Sequence, residues 1–322
     1  MVMCAGVLFA NAQLIKRDFL AGYSDGVDLE KGAYTGVDQA TVPIMINQWN
    51  LSGKAGVNDQ GGVTAITTTP LMYSDYIESG TDVAIAMAKL DASNSRTTIY
   101  SLAADNTYGA GTYYLAFMTN VTIASPTSIQ EYVAFDGNFT GNAQRARIGV
   151  KKPDVDATSF GFGLSGDASA PATVSGSFTL GVTHLLVLKV VLTEDAANPG
   201  VGDGTGTAYL YVDPDLKAAE PATAFATAAI SGTALKSIRG LVIRQRSTIE
   251  AEVGGFRFAK TWADALGQGG TAIPVISADK GEIVATEYYT VSGCKVSEPV
   301  SGIYIQKTVY KNGSIEAAKI LK

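Results

Sequence analysis

The amino-acid sequence predicts an all-β fold, with a two-sheet antiparallel sandwich over residues 13–266 and a small C-terminal β-sandwich domain over residues 273–322. Short runs alternate between apolar and polar residues, and this period of two places successive side chains on opposite faces of a strand. Gly, Asn, Asp and Pro separate these runs, as they do where strands turn. Apolar residues make up 46% of the 322 residues and charged residues only 17%, which favours sheets and turns over long solvated helices.

The clearest alternating strand is predicted over residues 112–123. The side chains expected on its core face are Tyr113, Leu115, Phe117, Val121 and Ile123. Residues 184–192 are apolar at nearly every position, which is typical of a central strand covered on both faces. The polar, glycine-rich stretch 194–205 is predicted to be a long hairpin connection to a strand at residues 206–212.

The large domain is predicted to end with two strands and a helical turn. The strands cover residues 238–246 and 254–260, and the turn covers residues 261–266. Within the turn, Trp262 and Leu266 lie four residues apart and are expected to pack together. The glycine-rich residues 267–272 that follow are predicted to be a flexible linker.

The charge changes across this linker. After Thr271, six Lys stand against five acidic residues, so the tail carries +1 and the rest of the chain carries −7, given a total of −6. This change, together with the hairpin signal Asn312-Gly313, favours two domains. The negative total offers no broad attraction to a phosphate backbone, so no nucleic-acid partner is expected.

The first twelve residues are predicted to be a secretory signal peptide. An apolar run over residues 1–9 ends in a small-residue site at residues 10–12, with cleavage expected before Gln13; a core strand is the alternative. No other apolar run approaches the roughly 20 residues that a membrane helix needs, so no transmembrane segment is expected. Removal of Cys4 with the signal would leave Cys294 alone, which excludes an intramolecular disulfide.

The tail resembles the type A (Por) C-terminal sorting domain of the Bacteroidetes type IX secretion system. The match runs through Glu287–Val296 and Gly302–Ile305 and ends in Ala318–Lys322. It includes a Y-x-x-x-G-x-x-V strand pair, a G-I-Y-I strand and a final strand that ends in Lys. The resemblance implies that the secretion machinery recognises residues 273–322. The protein is then expected to be secreted or attached to the outer cell surface, with cleavage of the tail near residues 269–270 as a further expectation.

Residues 13–266 resemble the concanavalin A-like lectin/glucanase jelly roll in its laminin-G-like form. Six segments carry the resemblance in order: Trp49–Leu51, Tyr113–Phe117, Phe160–Ser165, Thr183–Lys189, Leu210–Pro214 and Gly255–Asp264. The resemblance implies a jelly-roll sandwich that binds a glycan at its rim or concave face. It also implies that Ca²⁺ is a candidate cofactor.

Catalytic residues are not expected. Glucanases of this architecture carry carboxylates in a pattern close to E-x-D-x-x-E, about 5 Å apart, and the chain has no such run. Glu250 with Glu252, and Asp213 with Asp215, lack the third carboxylate and are predicted to be solvated. His184 is the single histidine and heads an apolar strand, which favours a structural role. The sequence therefore predicts a protein that is not an enzyme.

Candidate binding residues fall into three sets. Tyrosines in or near turns are candidates for stacking on sugar rings: Tyr73, Tyr76, Tyr108 and Tyr132. Arg145 and Arg147 alternate with apolar neighbours, so both are predicted on one outward face, either as an anion site or as a solvated face. Candidate calcium ligands flank one hairpin, with ordinary turn carboxylates as the alternative: Asp195, Asp203, Asp213 and Asp215.

The expected function is that of a secreted, cell-surface, non-catalytic β-sandwich protein that binds a glycan or another surface polymer. One alternative is a structural subunit of an extracellular filament, sheath or surface layer, because low charge and many Thr, Ala and Gly also suit self-association. A second alternative is a polysaccharide hydrolase whose carboxylates come from separate strands.

Overall fold

The structure is a computed structural model that describes most of the large domain and the strands of the tail. The described residues are 14–17, 19–20, 23, 29, 46–51, 65–67, 70–80, 84–89, 95–138, 143–268, 283–290, 295–300, 302–310 and 315–321. The predicted signal peptide, the predicted cleavage region at residues 269–270 and Cys294 lie outside them. Within the described residues, no helix is long and apolar enough to cross a membrane.

The described residues form nineteen strands and one short helix. The strands are β1 (Leu14–Lys16), β2 (Trp49–Leu51), β3 (Ala65–Thr67), β4 (Ala84–Met87), β5 (Ser95–Ser101), β6 (Gly111–Ile123), β7 (Gln130–Asp136), β8 (Gln144–Lys151), β9 (Ser159–Ser165), β10 (Ser175–Thr179), β11 (Thr183–Asp195), β12 (Asn198–Val212), β13 (Ala226–Ile230), β14 (Gly240–Arg246), β15 (Glu250–Ala259), β16 (Ile283–Thr290), β17 (Lys295–Val296), β18 (Ile303–Tyr310) and β19 (Ile315–Leu321). The helix is α1 (Trp262–Ala265).

The strands of the large unit form two antiparallel sheets. Sheet A has the order β13-β12-β11-β6-β15-β4-β3, and β1 also pairs with β15. Sheet B has the order β10-β9-β8-β7-β14-β5-β2. Neighbouring strands in each sheet often lie far apart in the sequence, as β6 and β15 do. The predicted all-β, two-sheet jelly-roll sandwich is confirmed.

The main hydrophobic core lies between the two sheets. Sheet A contributes the predicted core face of β6, namely Tyr113, Leu115, Phe117 and Val121, whereas Ile123 at the strand end is 39% exposed. Sheet B contributes large aromatic side chains, which include Phe135, Phe160 and Phe162. Phe258 connects the two sides, since its ring centroid lies 5.8 Å from those of both Tyr113 and Phe135. Alternation along β6 therefore selects the residues that fill the core.

The outer face of sheet A carries a second apolar cluster. Leu185 and Val187 of β11 face this cluster, while Leu186 and Leu188 face the main core, so the prediction of a strand covered on both faces is confirmed. Helix α1 packs here, and the Thr261 side chain caps it by accepting a hydrogen bond from the Asp264 backbone N–H. Trp262 and Leu266 are both buried in the cluster, as the predicted helical turn requires.

The predicted long connection at residues 194–205 is wrong. Strand β11 continues to Asp195 and β12 begins at Asn198, so nearly the whole stretch is a tight, extended hairpin. Its glycines permit close backbone contacts rather than open a loop. A Cβ atom on Gly202, for instance, would lie only 2.6 Å from the Lys236 carbonyl oxygen.

The chain divides into two compact units, one that ends at Gly270 and one that begins at Thr271. The described residues of the second unit form one antiparallel sheet with the order β17-β16-β18-β19. Glu287 of β16 accepts hydrogen bonds from Lys295, Lys307 and Tyr289, and these bonds lower the pKa of Glu287 to about 2. One carboxylate therefore connects three strands of this sheet.

Truncation of Phe258 tests the position of the main core. We expect Phe258→Ala to lower the free energy of unfolding by about 3–5 kcal/mol, because it leaves a cavity between the sheets. Urea denaturation followed by tryptophan fluorescence measures the change, since Trp49 and Trp262 are both buried in the large unit. Val155→Ala is the control, because Val155 is 70% exposed. An equal effect of the two substitutions would contradict this assignment of the core.

Candidate functional site

Three arginines and one glutamate form a charged cluster on the outer face of sheet B. We call this set, Glu131, Arg147, Arg244 and Arg246, the Glu131 cluster. Its members come from β7, β8 and β14, which are adjacent in the sheet order. The residues beside them, such as Ile148 and Ile243, enter the core, so alternation directs the charged side chains outward.

All three arginines reach the same carboxylate oxygen. Glu131 Oε1 accepts hydrogen bonds from Arg244 Nη1 at 2.6 Å, from Arg147 Nη1 at 3.4 Å and from Arg246 Nη2. The side chains of Glu131 and Arg147 are only 7% and 6% exposed, whereas those of Arg244 and Arg246 are 22% and 24% exposed. The Arg244 and Arg246 side chains are therefore partly exposed beside a buried ion pair.

The cluster carries more positive charge and more donors than the protein uses. Three arginines and one glutamate leave a formal charge of +2 in a chain whose total is −6. The Nε atoms of Arg244 and Arg246 are buried and have no hydrogen-bond partner among the described residues. A buried donor without an acceptor is costly, and each guanidinium has five N–H groups in a fixed fork. An anionic group at the surface would balance the excess positive charge through the exposed part of the Arg244 and Arg246 side chains.

The electrostatic surroundings of Arg147 also favour an anion. Burial lowers the pKa of Arg147 to about 10, and the positive charges of Arg244, Arg145 and Arg246 act in the same direction against the opposing effect of Glu131. Burial and Arg246 likewise lower the pKa of Arg244. At neutral pH these groups remain protonated, so an added negative charge relieves their mutual repulsion.

One side of the cluster is bounded by the segment 171–174. Glu131 lies directly opposite Gly149 in the sheet, and Gly149 lies opposite Gly163, so all three share the outer face. A Cβ atom on Gly163 would lie 2.3 Å from the Thr173 carbonyl oxygen, and one on Gly149 would lie 3.2 Å from Pro171. The two glycines thus let the segment lie flat on the sheet beside Glu131.

The predicted pairing of Arg145 with Arg147 on one face is wrong. Ala146 between them has φ +52°, and β8 has one extra residue opposite β7 between Ile148 and Arg145. This β-bulge breaks the alternation and turns Arg145 away. Its guanidinium donates to the Ser231 and Gln144 carbonyl oxygens instead, while Arg147 joins the Glu131 cluster.

The four predicted tyrosines do not form a sugar platform. Tyr76 and Tyr132 are 3% and 0% exposed, so neither ring is available to a ligand, which corrects their assignment. Tyr108 is half-buried and packs against Tyr113 and Phe258. Tyr73 is half-buried near Asp213, and burial, followed by that carboxylate, raises the pKa of Tyr73 to about 12.

The four predicted calcium ligands are not brought together. Asp195, Asp203 and Asp215 each accept a hydrogen bond from the backbone N–H two residues later, which is a local turn contact. Asp213 accepts from the Leu185 N–H and lies 2.7 Å from His184 Nδ1. In the described parts of the chain, no group of three or more His, Cys, Asp or Glu side chains is placed to hold a metal ion.

The other candidate acids and His184 lie in sheet A. Glu250 and Glu252 are half-buried on β15, and burial, followed by Glu250, raises the pKa of Glu252. His184 packs edge-on against Phe178 with 5.1 Å between ring centroids and is 8% exposed. This position agrees with the structural role predicted for it.

Sequence reasoning missed Glu131, Arg244 and Arg246. Arg244 and Arg246 lie two residues apart in β14, as Arg145 and Arg147 do in β8, although Gln245 rather than an apolar residue separates them. That pattern alone could have identified them as an outward-facing pair. Nothing in the sequence places β14 beside β7.

Comparisons with solved structures find proteins of similar fold at low identity. The alginate lyase Aly36B matches with 12% identity and a TM-score of 0.37, over 56% of this chain and 82% of that chain. The alginate lyase vAL-1 from Chlorella virus matches with 10% identity and a TM-score of 0.37, over 66% and 93%. The cellulose induced protein Cip1 matches with 13% identity and a TM-score of 0.38, over 70% and 96%. No protein-family model and no curated protein matches the chain.

The prediction that the protein is not an enzyme is wrong as it was drawn from the sequence. The prediction depended on the missing carboxylates of a glucanase. Their absence excludes one mechanism and does not exclude catalysis.

Replacement of Glu131 tests the electrostatic balance of the cluster. We expect Glu131→Gln to lower the free energy of unfolding by about 2–4 kcal/mol, because it leaves three arginines without their counter-charge. Glu250→Gln is the matched control, since it removes the same charge from a half-buried glutamate that no arginine contacts among the described ion pairs. Urea denaturation measures both. Equal stabilities of the two variants would show that Glu131 does not hold the cluster together.

Proposed function

We propose that the protein binds an acidic glycan on the outer face of sheet B, with Arg244 and Arg246 contacting its anionic groups. The observation that carries the proposal is the pair of partly exposed arginine side chains in a cluster of net charge +2. Carboxylate and sulfate groups match the guanidinium fork, with two oxygens facing two N–H groups. Arg147 and Glu131 lie beneath and hold the two forks in position.

The charge distribution favours an acidic glycan over a nucleic acid. Double-stranded DNA carries one charge per roughly 1.7 Å, and its binding sites neutralise many phosphates at once. This chain has a total charge of −6 and concentrates +2 at the cluster, so it suits a polymer with sparser charges. Uronate and sulfated polysaccharides are polymers whose charges lie further apart than those of DNA.

We propose further that residues 273–322 direct export to the outer cell surface through the type IX secretion machinery. The resemblance of this segment to a sorting domain supports the proposal. The separate compactness of the unit from Thr271 onward is compatible with it, because a module read by a secretion system has to fold without the rest of the chain. A surface location would bring the Glu131 cluster into contact with extracellular glycans.

The arginine pair tests the binding proposal. We expect Arg244→Gln/Arg246→Gln to weaken binding of alginate oligosaccharides at least about tenfold, because each charge-assisted hydrogen bond contributes about 1.5–3 kcal/mol. Alginate is the first probe because it is the polymer named for two neighbours of similar fold. Isothermal titration calorimetry at two salt concentrations measures affinity, which should fall as salt screens the charges.

Arg145→Gln is the matched control for this experiment, since it removes the same charge from a side chain that bonds the Ser231 and Gln144 carbonyl oxygens and not Glu131 among the described contacts. Heparin and neutral dextran are titrated in parallel. Equal binding of dextran and the acidic glycans, or an equal loss in the Arg145→Gln control, would refute the proposal. Ultraviolet absorbance of unsaturated uronate ends in the same samples reports whether a bound glycan is also cleaved.

Deletion of residues 271–322 tests export. In a bacterium with a type IX system, we expect the full chain at the outer surface and the truncated chain in the periplasm, because the machinery no longer has its recognition unit. Immunoblots of cell fractions and surface protease treatment measure the location. Arg145→Gln in the full-length chain should reach the surface normally. Surface delivery of the truncated chain would contradict the role of the tail.

A further inference from the structure

A polar pocket of about 500 Å³ lies on the outer face of sheet A, the sheet that does not carry the Glu131 cluster. Its walls are Lys189 of β11, Tyr209 and Tyr211 of β12, and Glu220 in the segment after β12. Residues 221–224 complete the rim. We call it the Glu220 pocket. Its volume falls in the range of small-molecule sites, roughly 300–1,000 Å³.

Glu220 organises the pocket. Its Oε1 accepts hydrogen bonds from Lys189 Nζ at 2.6 Å and from Tyr211 Oη at 2.7 Å, and its Oε2 accepts from Tyr114 Oη at 2.7 Å. Burial raises the pKa of Glu220, but these three bonds outweigh it and the pKa is lowered overall. Burial, and then Glu220, raise the pKa of Tyr114 and of Tyr211. The carboxylate therefore stays charged and the two phenols stay protonated.

Hydrogen-bonding capacity remains unused at the pocket surface. Lys189 Nζ has three N–H groups, and among the described residues only Glu220 accepts one of them. Glu220 Oε2 receives a single described donor, although a carboxylate oxygen accepts two. The two side chains are 19% and 24% exposed. Donors and an acceptor therefore lie side by side at the cavity.

Aromatic surface lines the same cavity. The Lys189 ammonium lies 5.2 Å from the centroid of the Tyr209 ring and 5.5 Å from that of Tyr114. Tyr209 is half-buried and forms part of the wall. Lys189 and Glu220 cancel in charge, so the pocket attracts neither anions nor cations strongly. This neutrality distinguishes it from the Glu131 cluster.

We propose that the Glu220 pocket binds a neutral saccharide of one or two pyranose units. Adjacent sugar hydroxyls both donate and accept, so one can accept from Lys189 while its neighbour donates to Glu220. The C–H surface of a sugar ring packs on aromatic walls such as Tyr209. The alternative is that the Lys189–Glu220 ion pair only holds the segment after β12 against the sheet. That role does not require the pocket of about 500 Å³ beside the pair. This inference is independent of the acidic-glycan site, which lies on the other sheet.

Tryptophan fluorescence of the full chain tests the proposal. Trp262 contacts the pocket residues directly, with ring centroids 4.9 Å from Tyr211 and 6.3 Å from Tyr114, so an occupied pocket changes its emission. The probes are cellobiose, laminaribiose, mannobiose and lactose. We expect a saturable change with at least one of them, and Tyr209→Ala and Glu220→Gln should each weaken that binding about tenfold or more.

Two controls separate this site from general effects and from the other site. Tyr288→Ala removes a half-buried tyrosine from the tail unit and should leave the response unchanged. Arg244→Gln/Arg246→Gln should also leave it unchanged, although that variant is expected to lose acidic glycans. Circular dichroism checks the fold, and Tyr209→Ala decides the outcome if Glu220→Gln does not fold.

The proposal is overturned if no neutral disaccharide gives a saturable response. It is equally overturned if the response persists in folded Tyr209→Ala, or if the arginine variant removes it. Because acidic and neutral probes are titrated separately, loss of one kind of binding leaves the test of the other intact.

Discussion

Burial of alternate side chains between two facing sheets is the constraint from which the rest of the structure follows. Once Leu186 and Leu188 enter the main core, Leu185 and Val187 have to face the other way, and helix α1 and neighbouring segments cover them. The same rule in sheet B places Ile243 inside and Arg244 outside. The charged cluster and the polar pocket are both consequences of the packing beneath them.

The two sheets carry different chemistry on their outer faces. Sheet B presents a concentration of positive charge around Glu131. Sheet A carries an apolar cluster on its outer face, and the charges of Lys189 and Glu220 balance in the Glu220 pocket on the same face. A sandwich can therefore carry two surfaces that favour different ligands, since its core separates one outer face from the other.

The β-bulge at Ala146 shows how one backbone irregularity decides which residues meet. Regular alternation would have kept Arg145 beside Arg147 on the outer face. Because of the extra residue, Arg145 donates a hydrogen bond to the Ser231 carbonyl oxygen, while Arg147 donates to Glu131 in the cluster. Arg246 and Arg244 of β14 supply the remaining charges through a strand pairing that spans more than a hundred positions.

The sequence by itself determined the all-β class, the apolar strands over residues 112–123 and 184–192 and the difference in charge between the two units, because alternation, apolar runs and composition are local properties of the chain. It also contained Arg147 as a candidate. It did not show that Glu131 lies beside Arg244, that Tyr132 is buried in the core, or that Asp195, Asp203 and Asp215 each bond within a turn of their own. Those outcomes were decided by the tertiary structure, since strand order, bulges and hairpin register depend on contacts between distant segments.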